Sequence, residues 1–433
     1  MAEGPLEGLH ILIVPTWYPT PEAPTGGRIF KEYLEAFARG GARVGLLYPD
    51  LIDLGNVPQR MSQPGYWHRV REMGLYLWPS PVLRDETYGE APVVRVRGLY
   101  SSFGKKERRI DCYFAWLERA YRHYVSKHGA PNVLNAHCAT PAGWAALRLA
   151  ETLTPRPRVV VTEHTGPFSL LLTPPAVAER TLAACREADA VCAVGSLLRT
   201  EMQGAGVTRP IEIIPNAVSS SFRFTEMPPA GRSASGKKRF GAVFAGRYSR
   251  MKGIPELIEA IGRVATEPDV EIHWNFFGFA EPGQEVLEKE LYRMFSSGAS
   301  KGMGTMHGIQ LREEIARVMR DSHFLILPSH RDNCPIAVVE ALSTGRPVVG
   351  TDGTGMEHFV RSGDGLLCKP GDTDDLTRTI LDLVRSMDRW DARAIAARAE
   401  ARFSEPAIAE AYARLFASAA TLRRERTRPA TNS

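Results

Sequence analysis

The chain has 433 residues, 44% hydrophobic and 24% charged, a globular composition too long for one ordinary core, so two domains are expected. Its formal net charge of +5, from 54 Lys and Arg against 49 Asp and Glu, is too mild to argue for a nucleic-acid partner. No run approaches the roughly 20 apolar residues of a membrane span, and the opening MAEGPLEGLH lacks the basic start and apolar centre of a signal peptide, so a cytoplasmic protein is expected. The six cysteines form no C-x-x-C pair and show no zinc spacing, and read as reduced, mostly buried thiols.

The first predicted strand is HILIVP, a β-branched run ending in proline and turn residues. A loop carrying Gly26 and Gly27 follows, then a helix in which Tyr33, Leu34, Phe37 and Ala38 recur at helical spacing until Gly40 and Gly41 stop it. ARVGLLYPD is the next strand. Residues 51–110 break this rhythm; their segment 69–109 carries nine Lys or Arg against five Asp or Glu. Strand and helix then alternate again through PNVLNAHC, PAGWAALRLAETL, RVVVTEHT, RTLAACREA, AVCAVG, SLLRTEMQGAG and IEIIPNAV. The segment 218–238 is rich in Ser, Pro, Gly and basic residues and reads as a linker. A second alternation runs from FGAVFAGR to DTDDLTRTILDLVRSM, and FSEPAIAEAYARLF forms a C-terminal helix with Ser404 at its start and Pro406 in its first turn. The expected fold is α/β: two tandem doubly wound, Rossmann-like domains facing a cleft, over 1–217 and 239–400. Over 401–433 a terminal helix is expected to cross back to the first domain, followed by a basic tail.

The residues that carry chemistry follow strands of the second half. HFLILPSH places Asp332 and the Asn333-Cys334-Pro335 turn beyond a strand's carboxyl end, where ligands bind in open α/β sheets. Pro335 and Ile336 open a helix that carries Glu340 about one and a half turns in. Two acids so placed can hold different hydroxyls of one sugar-containing ligand, while the helix N-terminus offers N–H groups to an anion. A capping carboxylate at Asp332 and a buried ion pair at Glu340 are the structural alternative. FAGRYSRMKG follows another strand, and its Arg247 and Lys252 suit a diphosphate, against the alternative of two solvated surface charges.

These segments together resemble the family-4 glycosyltransferases, retaining enzymes of the two-Rossmann fold called GT-B. That family's pattern of an acid, seven residues, then Glu stands here as Asp332 and Glu340, followed by EALSTGRPVV. Its GR-x-x-x-x-KG stands as Gly246-Arg247 through Lys252-Gly253, its IPNGV as IPNAV, and its strand-end histidine segment as TEHTGPF with His164. The likeness runs from about residue 10 to 425. It implies that Arg247 and Lys252 hold the diphosphate, that Glu340 takes the ribose, and that Asp332 and the backbone of Asn333, Cys334, Pro335 and Ile336 meet the donor sugar. It also implies that Gly26 and Gly27 let backbone approach the phosphates, and that His164 faces the sugar near its reacting carbon. Asn216 has a structural role in this reading.

The implied reaction is retaining sugar transfer from a nucleoside-diphosphate sugar, a UDP-sugar being the leading expectation, to an acceptor hydroxyl. No metal and no cofactor are expected. The departures are Asp332 where the family has Glu, Asn333-Cys334-Pro335 for Gly-Phe-Gly, and Thr354 for a glycine; all leave the sugar open. The acceptor is a sugar, a lipid-linked or a small molecule, and the basic, aromatic 60–110 segment allows peripheral membrane contact on the cytoplasmic face. Polysaccharide, glycolipid or glycosylated-metabolite synthesis is the expected setting. The rival readings are a nucleotide-sugar 2-epimerase of the same fold and a non-catalytic sugar-nucleotide-binding protein. A dinucleotide-dependent oxidoreductase would need G-x-G-x-x-G after the first strand, which is missing.

Overall fold

The structure, a computed structural model, describes residues 4–20, 26–53, 83–100 and 105–427. It divides into two compact units, one drawn from Met1–Val194, Leu198–Ala217 and Ile408–Ser433, the other from Gly195–Leu197 and Val218–Ala407. Each has its own sheet and its own core.

The first sheet contains β1 (His10–Pro15), β2 (Arg43–Asp53), β3 (Leu83–Tyr88), β4 (Ala91–Tyr100), β5 (Val133–His137), β6 (Arg158–Glu163), β7 (Ala190–Ala193) and β8 (Ile211–Ile213). Their order is β3-β4-β2-β1-β5-β6-β7-β8, parallel throughout except for the β3–β4 hairpin. All six positions of β1 are buried, as a strand covered by helices on both faces requires. The expected break at residue 51 does not fall there. Strand β2 runs on through Asp53, and β4 continues the sheet beside it. That strand was hidden by its charges: Arg95 and Arg97 are buried on β4, with Asp50 of β2 3.4 and 3.9 Å away and Glu86 of β3 3.0 Å from Arg95. Within the expected 51–110 insertion, residues 54–82, with Trp67 and Trp78, and 101–104 lie outside the described residues, as does the tail 428–433.

The second sheet contains β9 (Gly231–Arg232), β10 (Lys238–Ala245), β11 (Val270–Phe277), β12 (Gly304–Gly308), β13 (Phe324–Ile326), β14 (Val348–Thr351) and β15 (Gly365–Cys368). Its order is β12-β11-β10-β13-β14-β15, all parallel, with β9 antiparallel on β10. The 218–238 segment belongs to this unit: Val218 and Phe222 are buried in its core and β9 pairs with β10.

The helix Glu405–Thr427 begins where the second unit ends and seats Ile408, Tyr412 and Phe416 in the first unit's core, beside Tyr33 and Phe37. Ala407 N–H reaches Ser404 Oγ at 3.4 Å, so the helix starts at the expected serine. The six cysteines are free thiols. Among the described residues no helix is long and apolar enough to cross a membrane.

Candidate active site

In the second unit, Lys252 and Asp332 come together. They follow β10 and β13, which are neighbours in the sheet and pair at Val243 with Leu325, so both loops leave at the same carboxyl-end edge. Two contacts fasten the loops to one another. His330 N–H donates to Met251 O at 2.9 Å, and Gly253 lies so close to Pro328 that a Cβ would stand 2.0 Å from its carbonyl oxygen. Gly253 also has φ +68°, in the left-handed region that favours glycine, and from there the helix Ile254–Val264 starts. Lys252 Nζ then lies 2.5 Å from Asp332 Oδ2, with both side chains mostly buried. Asp332 N–H donates to Thr354 O at 2.9 Å, so the threonine standing in a glycine's place braces the acid's loop.

The other expected donor-site residues of this unit stand on different partners. Arg247 is exposed, with Nη1 3.1 Å from Glu281 Oε1, and shares no acid with Lys252. Glu340, on the helix Ile336–Ser343, is buried 3.2 Å from Arg312. The structural alternative for Glu340, an ion pair, is therefore the arrangement seen. Asp332 caps nothing: Pro335 occupies the helix N-cap, no side chain bonds there, and Ile336 opens the helix. Asn333 Oδ1 accepts from Arg331 at 3.0 Å, and Cys334 packs partly buried against the core. Glu281 and Arg312 were not identified from sequence, because neither lies near its partner in the chain.

In the first unit, β5 and β6 are in register with His137 opposite Thr162, which sets His164 two residues beyond. His137 Nδ1 and His164 Nε2 are 2.8 Å apart, their rings stacked at 5.1 Å. Trp17, Phe30 and Tyr33 surround His164 with centroids 5.7, 6.2 and 6.4 Å away. Gly27, at φ +70°, lies against Trp17 and Tyr18, where a Cβ would meet backbone at 2.9 Å; Gly26 precedes it in the same turn.

A further residue of this cluster, missed in the sequence, is Glu163. Fully buried, its carboxylate accepts from the N–H groups of Ala139 at 2.7 Å, His164 at 2.9 Å and Thr165 at 2.7 Å. It ties both strand ends into one frame. Beside it Cys138 has φ +76°, a strained value for a residue with a side chain. The signal was present in TEHT, where an acid at a strand's last buried position faces the next strand's turn. Among the described residues no group of three or more His, Cys, Asp or Glu is placed to hold a metal ion.

Burial among these rings holds His164 down to about 3 and His137 well below its ordinary value, while burial brings His323 of the second unit to about 4. All three are neutral when folded, but take a proton below about pH 6.5 when unfolded. The unfolded chain then binds more protons, so stability declines as the pH drops below about 6.5 and is level above it. Denaturant titrations at pH 5 are expected to give an unfolding free energy lower than at pH 7 by on the order of 1–2 kcal/mol per histidine. Equal values at the two pH values would contradict these burials.

Two parallel α/β units in tandem, each with conspicuous side chains beyond its strands' carboxyl ends, define the GT-B class of fold. Sucrose-phosphate synthase from Thermosynechococcus elongatus superposes with a TM-score of 0.66 at 18% identity, over 95% of this chain and 100% of that one. Anabaena HepE in complex with UDP superposes at 0.63 and 16% identity, over the same shares. The Glycosyl transferases group 1 model matches residues 239–386 and the Glycosyltransferase Family 4 model residues 73–222. The chain belongs to the family-4 glycosyltransferases. Among curated relatives, the N-acetyl-alpha-D-glucosaminyl L-malate synthase of Bacillus anthracis is 20% identical over 268 residues, 59% of this chain and 65% of that one. The matches to this and two other curated relatives span 65, 52 and 42% of those proteins' lengths.

Proposed function

We propose that this protein transfers a sugar from a nucleoside-diphosphate sugar to an acceptor hydroxyl, with retention at the anomeric carbon and without a metal ion. The observation that carries the reading is the Lys252–Asp332 pair, a cation and an acid 2.5 Å apart at the ends of adjacent strands, next to a helix start that no side chain caps. The pair keeps a positive charge where a diphosphate would sit and an acid where a sugar hydroxyl would replace it as partner. Arg247, on an exposed side chain, moves to the second phosphate, and Glu340 takes the ribose. His164 accepts a hydrogen bond from a donor-sugar hydroxyl.

In the front-face step the acceptor oxygen bonds to the anomeric carbon on the side from which the phosphate oxygen departs. The departing oxygen takes the acceptor's proton. Fixed cations and helix N–H groups stabilise the charge that develops on the nucleotide. A UDP-sugar is the donor we favour, in keeping with HepE, whose structures contain UDP and UDP-glucose. The acceptor is a sugar, a lipid-linked or a small molecule, the protein meeting any membrane only peripherally.

A thermal-shift screen of UDP-, GDP- and ADP-sugars tests the donor, and release of free nucleotide with and without EDTA tests the metal. A UDP-sugar is expected to raise the melting temperature, and nucleotide release to continue undiminished in EDTA. Stabilisation by none of the donors would remove the donor reading. Activity lost in EDTA and restored by Mg²⁺ or Mn²⁺ would remove metal independence.

A further inference from the structure

The buried polar groups around His164 form a connected file of hydrogen bonds that can be followed from donor to acceptor. Asn135 is fully buried, with its amide nitrogen 3.5 Å from the carbonyl oxygen of Val160 and 3.2 Å from Thr162 Oγ1. A carbonyl oxygen only accepts, so the NH2 group of Asn135 faces that side and its Oδ1 faces the other. There Oδ1 lies 2.9 Å from His137 Nε2, which must therefore carry the hydrogen. His137 is neutral in its buried site, so its Nδ1 holds a lone pair. The partner of that lone pair is His164 Nε2 at 2.8 Å, which must in turn donate.

We propose that Asn135, acting through His137, fixes His164 in the tautomer with its hydrogen on Nε2 and its lone pair on Nδ1. Asn135 is thereby a positioning residue for the proposed transfer. It touches no substrate, yet it decides that His164 presents an acceptor, suited to a sugar hydroxyl, and not a donor.

The same file runs on from the other end of the amide. Thr162 Oγ1 accepts from Asn135 and is 2.9 Å from Tyr412 Oη. Tyr412 donates to Tyr33 Oη at 3.5 Å, and Tyr33 donates to Asn216 Oδ1 at 3.1 Å. All the hydrogens then point the same way, from His164 toward Asn216, and aligned bonds of this kind polarise one another. Reversing Asn135 would set its NH2 group against His137 and its oxygen against that of Val160, so the amide holds the direction of the file. The C-terminal helix contributes Tyr412 to the file on the far side of the amide, beyond the Asn135–His137 contact that sets the histidine's tautomer.

The test is nitrogen NMR of the histidine rings in the full-length protein labelled with 15N-histidine, at neutral pH and without ligand. His164 is expected to show a protonated Nε2 and a bare Nδ1. In Asn135→Leu a second population with the hydrogen on Nδ1 should emerge, whereas Tyr412→Phe, which leaves the Asn135–His137 contact in place, should keep the wild-type pattern. The KM for UDP-glucose should rise about 2- to 10-fold in Asn135→Leu, the loss of about one hydrogen bond. A wild-type His164 protonated on Nδ1 overturns the proposal, and so does a folded Asn135→Leu with unchanged tautomers. If Asn135→Leu does not fold, the wild-type spectrum still decides. The tautomer is read without turnover, so the expected pattern in a protein that binds no nucleotide sugar would strike the functional reading and leave Asn135's control standing.

Discussion

Lys252→Ala is expected to lower sugar transfer about 10²–10³-fold, the usual loss when one fixed charge is removed from a developing anion. The loss should fall mainly on kcat, because the lysine's charge matters most as the phosphate oxygen departs. The fold should survive. Lys252 sits in a short turn after β10, and the strand, the helix Ile254–Val264 and the Gly253–Pro328 approach are made by other atoms. Asp332 would be left without its ammonium but still within reach of water, its side chain 12% exposed. Steady-state rates with UDP-glucose, beside a circular-dichroism melt, make the comparison. Near-normal turnover would show that the Lys252–Asp332 pair is structural.

Arg346→Met is expected to act on stability instead, and strongly. Arg346 follows the helix that carries Glu340, in the stretch TGRPVV, and is completely buried. Among the described residues no carboxylate is bonded to it. Its guanidinium donates to the carbonyls of Ser322 at 2.8 Å, Thr225 at 2.8 Å, Thr344 at 2.6 Å and Glu226 at 3.1 Å, to Thr225 Oγ1 at 2.9 Å, and to the carbonyl of Arg320. Burial brings its ordinary value down to about 10, so it stays charged at neutral pH. One side chain thus satisfies five carbonyls from three separate segments of the chain, and methionine would leave them buried without donors. Breaking such a buried network costs about 3–5 kcal/mol. For a unit of this size that lowers the melting temperature by on the order of 10 °C. A melting temperature within a degree or two of wild type would mean that water replaces the guanidinium there.

Arg346 also shows where reading from sequence reaches its limit. An arginine beside a proline looks like solvated surface, and nothing local says that distant carbonyls converge on it. Strands β1, β6, β10 and β13 were legible because each carries a run of apolar residues, as a strand buried on both faces does, and β5 was legible despite Asn135 and His137. Strand β4 was not, since Arg95 and Arg97 break its apolar pattern and find their acids only once β2 and β3 lie beside it. Strand β12 is short, with a glycine at either end and no fully buried position. The candidate site divides along the same line. His164 follows a strand directly and Lys252 and Asp332 lie on the loops that leave strands, so their placement beyond strand ends could be read off. Other pairings could not: His137 meets His164 only through the β5–β6 register, and Arg312 reaches Glu340 from another helix.

The terminal helix has a consequence for how the protein is made. A ribosome releases the first unit's sheet early, but Tyr412 and Phe416, which its hydrophobic interior needs, emerge only after the whole second unit has been synthesised. At about 5–20 residues per second that wait is on the order of 10–40 s. Through that interval Tyr33 and Phe37 lack their final covering, and a nascent chain in this condition is a natural client for chaperones. The second unit, contiguous in the chain apart from three residues, has no such delay and can finish folding before the unit that precedes it.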